Sequence, residues 1–243
     1  MSEAFSVRMN GDCSLLIDIQ AECFPTETYL SDIAHALAET LRQHNLPGIL
    51  EVVPTSAALM LVFDEPVRLS HPHCEAILSV LQTLDRQVLL QQPASRLLSI
   101  PVCYELPHAV DLHTVAERTQ LSTDEIIERH QAAQFSVDML GFLPGFAYLR
   151  GLPEQLQLPR KATPVLHVSK GSIAIAADYC GLYPQDSPGG WYVIGRTPLR
   201  LFDYRKAQPA YLQPGDQVRF SAIDSDQFET LFNTEYADVI DCC

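Results

Sequence analysis

Lysine is scarce in this 243-residue chain: Lys161, Lys170 and Lys206 are the only three, and the formal net charge is −14. A surface that acidic repels phosphate backbones, so nucleic acid is not expected as a partner. No apolar run is long enough to cross a bilayer, so no membrane span is expected. Residues 1–10 lack a basic stretch leading into an apolar one, so no secretory signal is expected and the cytoplasm is the expected location. The seven cysteines are scattered and form no C-x-x-C pair, which argues against a disulfide framework and against a zinc ribbon. A G-x-x-x-x-G-K-[ST] stretch is also missing, so there is no P-loop. The His71-Pro72-His73-Cys74 cluster has metal-ligating residue types but fits no standard zinc spacing, and no metal is expected there. Basic residues stop at Arg219, while Asp224, Asp226, Glu229, Glu235, Asp238 and Asp241 follow it. Residues 224–243 therefore read as a short helix near 227–232 and a solvated acidic tail, with Cys242 and Cys243 disordered rather than functional.

What the chain does contain falls into two grammars. In the first ninety residues, 14–19 is a strand candidate after the Gly11-Asp12 turn. Leu30, Ile33, Leu37 and Leu41 recur at three- and four-residue steps, predicting a helix over 26–44 that Pro47-Gly48 terminates. Strands at 49–53 and 57–63 and a helix at 73–84 complete a small split βαβ unit, with helices on one face of a sheet. This domain is expected over 1–92, with a boundary in the polar stretch 91–95.

The second domain, expected over 95–223, opens with a buried strand at 97–104. Two short helices follow, the first from about Asp111 and the second opened by the Ser122–Glu125 capping box and ending near His130. From Phe135 onward, short apolar segments are punctuated by Gly and Pro. Strand candidates are 136–140, 166–168, 172–176, 192–194, 199–204 and 217–223, a pattern that predicts a closed barrel or sandwich of about six or more strands. The expected class is α+β: a small N-terminal α/β domain followed by a β-barrel.

Three clusters stand out. Residues 141–148 pack Gly141, Phe142, Pro144, Gly145, Phe146 and Tyr148 into one loop; residues 183–191 run from Tyr183 through Ser187, Gly189 and Gly190 to Trp191; and Gly195-Arg196-Thr197-Pro198 closes the set. Such loops present rings on rigid turns and let a ligand approach the backbone at Gly145. The same composition also suits barrel corners whose rings fill the core.

These clusters, together with Ile100–Tyr104, Asp111-Leu112, His130, Pro159-Arg160, Gly171-Ser172 and Tyr183-Pro184, resemble the family of 5-oxoprolinase B subunits, which includes the sporulation-kinase inhibitor KipI and was formerly called allophanate hydrolase subunit 1. The same module resembles part of the carboxyltransferase region of urea carboxylase. The resemblance is dense over about residues 95–223 and looser before them. It implies a cyclophilin-like barrel after a small α/β domain. It also implies work with 5-oxoprolinase subunits C and A, the first homologous and the second separate, which together open the lactam of 5-oxoproline to glutamate with ATP. Two departures are visible: Val165 stands where the family pattern has an arginine, and Lys170 adds a cation five residues on. Neither reproduces the bidentate grip of a guanidinium.

Opening a lactam requires turning its oxygen into a leaving group, which phosphorylation by ATP, with Mg²⁺, achieves. Cations are then needed for phosphate and carboxylate, and an acid/base for the ring nitrogen. The candidate catalytic residues are Arg160 and His130, an imidazole at the end of a predicted helix whose dipole favours its protonated form. The candidate substrate- or nucleotide-binding residues are Gly145, Phe146, Tyr148, Lys170, Ser172, Tyr183, Ser187, Gly189, Gly190, Trp191 and Arg196. A purely structural cap serves equally for His130, an interface ion pair for Arg160, and a contact between strand ends for Arg196. Ser172 and Ser187 read as backbone-bonding rather than nucleophilic. Besides the enzyme component, two alternatives fit: a KipI-like inhibitor of a histidine kinase, and a carboxyltransferase component of a urea-carboxylase or allophanate system.

Overall fold

The computed structural model describes residues 4–90 and 95–235. The expected domain boundary at 91–95 lies almost wholly outside the described residues, and so does the tail from 236, including Cys242 and Cys243. The chain divides into two compact units, Met1–Ser95 and Arg96–Cys243.

In the first unit, β1 (Phe5–Met9), β2 (Ser14–Ile19), β3 (Ile49–Pro54) and β4 (Ala58–Phe63) form one sheet in the order β1-β2-β4-β3. Both β2 and β3 pair antiparallel with β4, so they run in the same direction with α1 (Leu30–Gln43) as their crossover. That is the split βαβ arrangement. Strict alternation buries Leu15, Ile17 and Ile19 of β2 and Leu59, Leu61 and Phe63 of β4, in one core with Ile33, Leu37 and Leu41 of α1. Helix α1 starts four residues later than the apolar period suggests, because Thr28 N donates to Pro25 O and closes a turn first. The chain leaves α1 through Asn45 at φ 45°. Strand β1 was not anticipated. Pro72 occupies the first turn of α2 (Pro72–Thr83), and a short α3 (Arg86–Leu89) follows.

The second unit holds β5 (Leu97–Cys103), α4 (Leu112–Thr119), α5 (Thr123–Ala132), β6 (Phe135–Leu140), β7 (Ala147–Arg150), β8 (Val165–Val168), β9 (Ser172–Ala176), β10 (Tyr179–Leu182), β11 (Ser187–Gly189), β12 (Tyr192–Arg196), β13 (Gln217–Ile223) and α6 (Ser225–Glu235). Seven of the strands close a barrel in the order β10-β7-β6-β13-β5-β12-β9, while β8 and β11 pair separately as a ribbon. The interior is filled by inward positions such as Ile100, Val102, Val137, Leu149, Ile173, Ile175, Ile194, Val218 and Phe220, with Val115 and Ile126 of the two helices. The capping box forms as expected: Glu125 N donates to Ser122 Oγ at 3.2 Å, and Ser122 N donates to Glu125 Oε2 at 2.8 Å.

Residues 199–204 are not the strand expected of them; they make only the isolated bridge Phe202–Ala210. The reason is Asp203, whose carboxylate accepts Arg205 Nε at 2.9 Å, Arg205 Nη2 at 2.8 Å and Arg205 N at 3.1 Å, folding the segment into a turn. Strands β7, β10 and β11 were also unforeseen. They are three or four residues long and contain or adjoin the glycines that sequence reading assigns to loops.

Candidate functional site

One stretch of sheet serves two cores. Along β9 and β10, Ile173, Ile175, Cys180 and Leu182 point into the barrel, while Ala174 and Ala176 point outward to a second cluster with Phe146, Tyr183 and Trp191. Gly181 makes this second cluster possible. A Cβ there would lie 2.7 Å from both Phe146 Cζ and Trp191 Cζ3, so its absence lets both rings rest on the strand. Phe146 is the hub, edge-on to Tyr148 at 4.8 Å, Tyr183 at 5.0 Å and Trp191 at 5.9 Å between ring centroids. Such T-shaped contacts match the positive ring edge to the negative ring face. Gly181→Ala is therefore expected to cost about 1–3 kcal/mol by overpacking and to shift the emission of Trp191. Because the chain has one Trp, fluorescence-monitored urea unfolding reads both effects, and an unshifted spectrum with an unchanged midpoint would refute this packing.

The 141–146 loop is shaped by its own backbone: Gly141 N donates to Phe146 O and Phe146 N to Leu143 O. Gly145 sits at φ +81°, where a Cβ would meet Phe202 at 2.9 Å, so it shapes the turn and does not open a ligand approach. The loop holds Phe142 outward, 62% exposed, above a groove of about 260 Å³. Phe142, Phe146, Tyr148, Tyr183 and Trp191 form its aromatic wall, and Arg160, Lys161, Pro164, Pro188, Gly189 and Gly190 complete it. The exposed Arg160 guanidinium lies 5.8 Å from the centroid of the Trp191 ring, a cation–π distance. Lys161 N donates to Gly190 O at 2.8 Å, which ties the 159–161 segment to the wall. Gly189 is the seat of Tyr183, since a Cβ there would lie 2.5 Å from the phenol oxygen. Burial pushes the Tyr183 phenol up to about 12, with Tyr148 adding to the shift and Arg160 opposing it. Burial raises Tyr148 as well, so both phenols stay neutral at physiological pH.

A second groove of about 330 Å³ shares Lys161 with the first. It is lined by Pro107, His108, Val110, Asp111, Lys161, Val165, His167, Val168, Ser169, Ser172, Val193 and Arg196. Asp111 stands at the N-cap of α4 but does not cap it, because its carboxylate is engaged elsewhere. Its Oδ2 accepts Lys161 Nζ and Val193 N, each at 2.7 Å. His108 stacks on Phe228 of α6 at 4.0 Å between centroids. Its pKa is lowered by burial first and by the neighbouring Arg196 charge second, against the opposing pull of Glu229 and Glu105.

The sequence-derived candidates divide accordingly. Phe146, Tyr148, Arg160, Tyr183, Gly189, Gly190 and Trp191 meet in the aromatic groove, and Ser172 and Arg196 line the second groove. Three others line neither: Gly145 packs under Phe202, Lys170 Nζ lies 5.5 Å from the Phe232 ring, and Ser187 Oγ donates to Pro188 O. The rings are also less displayed than the loop composition suggests, since Phe146, Tyr183 and Trp191 are buried and Phe142 is the exposed one.

His130 requires a correction. It does not face the groove with Arg160; it is fully buried in the barrel, stacked on Phe220 at 4.4 Å and hydrogen-bonded through Nδ1 to Tyr104 Oη at 2.7 Å. Its Nε2 lies 3.5 Å from Cys180 Sγ. Burial pushes its pKa down to about 3, overriding the helix-dipole argument for a protonated imidazole. His130 is a neutral core residue, not an acid/base.

Sequence reading missed Lys161, Asp111, His108, Phe142 and Gly181 as contributors. Lys161 and Phe142 had a signal, as neighbours of singled-out residues. The Asp111–Lys161 pair had none, because fifty positions separate its members.

In the first unit, Glu65, His71 and His73 each bring one potential ligand atom within 4.8 Å of the others. His71 Nδ1 accepts His73 N at 3.3 Å as the N-cap of α2, which leaves the proton on Nε2, 3.6 Å from Glu65. The nitrogen facing the carboxylate is therefore a donor rather than a lone pair, an ion-pair arrangement and not a ligand set.

A barrel unit behind a split βαβ unit, with glycine-seated rings beside cations, is a pattern shared with known proteins. The chain belongs to the family described as carboxyltransferase domain, subdomain C and D, whose pattern it matches over residues 5–212. It is 32% identical over 235 residues to the 5-oxoprolinase B subunit of Bacillus subtilis (strain 168), covering 94% of this chain and 97% of that protein. It is 39% identical over 176 residues to the 5-oxoprolinase B subunit of Escherichia coli O157:H7, covering 72% and 79% respectively. Among solved structures, TTHA0988 is similar with a TM-score of 0.73 and 31% identity over 90% of this chain, which spans only 41% of that longer one. No helix among the described residues is long and apolar enough to cross a membrane.

Proposed function

We propose that the chain is the B subunit of an ATP-dependent 5-oxoprolinase, a hetero-oligomer with subunits C and A that opens the lactam of 5-oxoproline to glutamate. The observation that carries this reading is the make-up of the aromatic groove. Its lining supplies ring faces and two cations, Arg160 and Lys161, but neither an imidazole nor a carboxylate among the described residues. Ring faces and cations suit a nucleotide, with the base against Trp191, Tyr148 and Phe142 and the phosphates, with Mg²⁺, near Arg160. Such a groove binds and orients but has no group ready to move a proton near pH 7, because both phenols are raised. The acid/base for the ring nitrogen then comes from a partner chain, and this chain alone is silent. The relatives named as subunits support the same reading.

The test is to purify the chain alone and with candidate C and A subunits, separate the species by gel filtration and assay each for ATP-dependent glutamate release from 5-oxoproline. Activity is expected only in the fraction holding the full assembly. Lactam cleavage by the purified chain alone would overturn the subunit reading, and no cleavage by any assembly would overturn the substrate.

A further inference from the structure

We infer that the second groove, between the Asp111–Lys161 pair and Arg196, binds the carboxylate of a small monoanionic acid with a compact apolar body. Its walls are of two kinds. Pro107, Val110, Val165 and Val193 supply apolar contact on one side, while Arg196, His108 and Ser172 supply polar groups on the other. The polar side is built rather than incidental: His108 is 7% exposed and Ser172 is 3% exposed, so both are held in place by packing.

Arg196 is oriented before any ligand arrives. Its Nε donates to Lys170 O at 2.8 Å, and the rings of Phe228 and Phe232 lie 5.4 Å and 5.2 Å from its guanidinium carbon. A guanidinium fixed in this way loses little further freedom on gripping a carboxylate. Charge then selects the ligand. Two cations line the groove, and Lys161 is already matched by Asp111, so at most one positive charge is offered. A monocarboxylate is matched by that supply. A phosphate dianion would bring excess negative charge into a chain that carries −14. A volume of about 330 Å³ admits a small ring or short chain with ordered water.

This inference deepens the proposed function and rests on it only for the identity of the acid, since 5-oxoproline is a ring compound with one carboxylate. Lys161 lies in the wall common to both grooves, so an acid held here would meet a nucleotide held in the aromatic groove at that residue.

The purified full-length chain is titrated calorimetrically with 5-oxoproline and, separately, with inorganic phosphate. Saturable binding of 5-oxoproline is expected, weakened about tenfold or more in Arg196→Gln, the loss typical of a charge-assisted contact. Because Arg196 also packs on α6, Val165→Asp provides a second variant: it places a negative charge on the groove wall at a position 38% exposed and is expected to weaken binding similarly. Arg160→Ala, in the aromatic groove, is expected to leave 5-oxoproline affinity unchanged within about twofold. Equal loss in Arg160→Ala, no loss in folded Val165→Asp, phosphate binding as tightly as 5-oxoproline, or no binding of 5-oxoproline would each overturn the assignment. If 5-oxoproline binds as described but no assembly cleaves it, the acid site stands and the 5-oxoprolinase reading falls.

Discussion

An assembled complex carrying Arg160→Ala is expected to lose roughly ten- to more than a hundredfold in kcat/KM for ATP, the loss of one charge-assisted contact worth about 1.5–3 kcal/mol. The geometry isolates this effect from folding. Arg160 is exposed and packs only its guanidinium face toward Trp191, so truncation opens no cavity, and stability should change by no more than about 0.5 kcal/mol. Arg160→Lys keeps the charge but not the planar fork or the stacking, and should recover only part of the loss. If the contact is made to ATP in the ground state, KM for ATP rises and kcat holds; if it is made only as the phosphoryl group transfers, kcat falls with it. Trp191 serves as a second readout, since a nucleotide base placed against its ring should quench its emission in the wild type. Full turnover by a folded Arg160→Ala complex would remove Arg160 from the site.

The fold was legible where one physical signal dominated. Alternation gave β2, β9 and β13 with their observed bounds, and the 3.6-residue period gave α1 and α2 to within a few residues. It was illegible where glycines sit inside strands. Gly181 and Gly189 read as turn residues, yet each lies in a strand because an aromatic side chain from elsewhere occupies the space a Cβ would take. No local window contains Phe146 and Gly181 together, so the seat and its ring cannot be paired before the barrel closes. The candidate site followed the same rule. Rings and cations clustered in sequence, such as Phe146, Tyr148, Arg160 and Trp191, were found together in space. The groups that depend on long-range pairing were not: Asp111 read as a helix start, and its carboxylate turned out to hold Lys161. His130 failed for the opposite reason. Its position at a helix end was read correctly, but whether that end meets water or a barrel core is decided by Phe135, Phe220 and Tyr104, which pack around it only in the folded chain.

The largest effect on stability is expected from acid, and it should trace to His130. In the unfolded chain its imidazole takes up a proton near pH 6.5, whereas in the folded barrel burial delays that to about pH 3. Between those values the unfolded state binds the extra proton, so stability rises with pH across the window. The contribution is complete above about pH 6.5 and is lost progressively as the pH falls toward 3. Each unit of separation is worth about 1.4 kcal/mol, so a change from pH 7.5 to pH 4.5 should remove on the order of 3 kcal/mol through this residue. Other groups titrate over the same range, and a variant separates them. His130→Gln keeps an amide able to meet Tyr104 Oη but has no titration, so its acid-induced loss should be smaller than that of the wild type by that amount. Urea unfolding followed by Trp191 emission at the two pH values supplies all four free energies. The hydroxyl of Tyr104, 2.7 Å from Nδ1, leaves the neutral ring hydrogen-bonded, whereas a protonated ring would place a charge between Phe135 and Phe220 with only Tyr104 and the Cys180 thiol beside its nitrogens. Equal acid sensitivity in wild type and His130→Gln would mean that the imidazole is protonated in the folded state, and would reopen its candidacy as an acid/base.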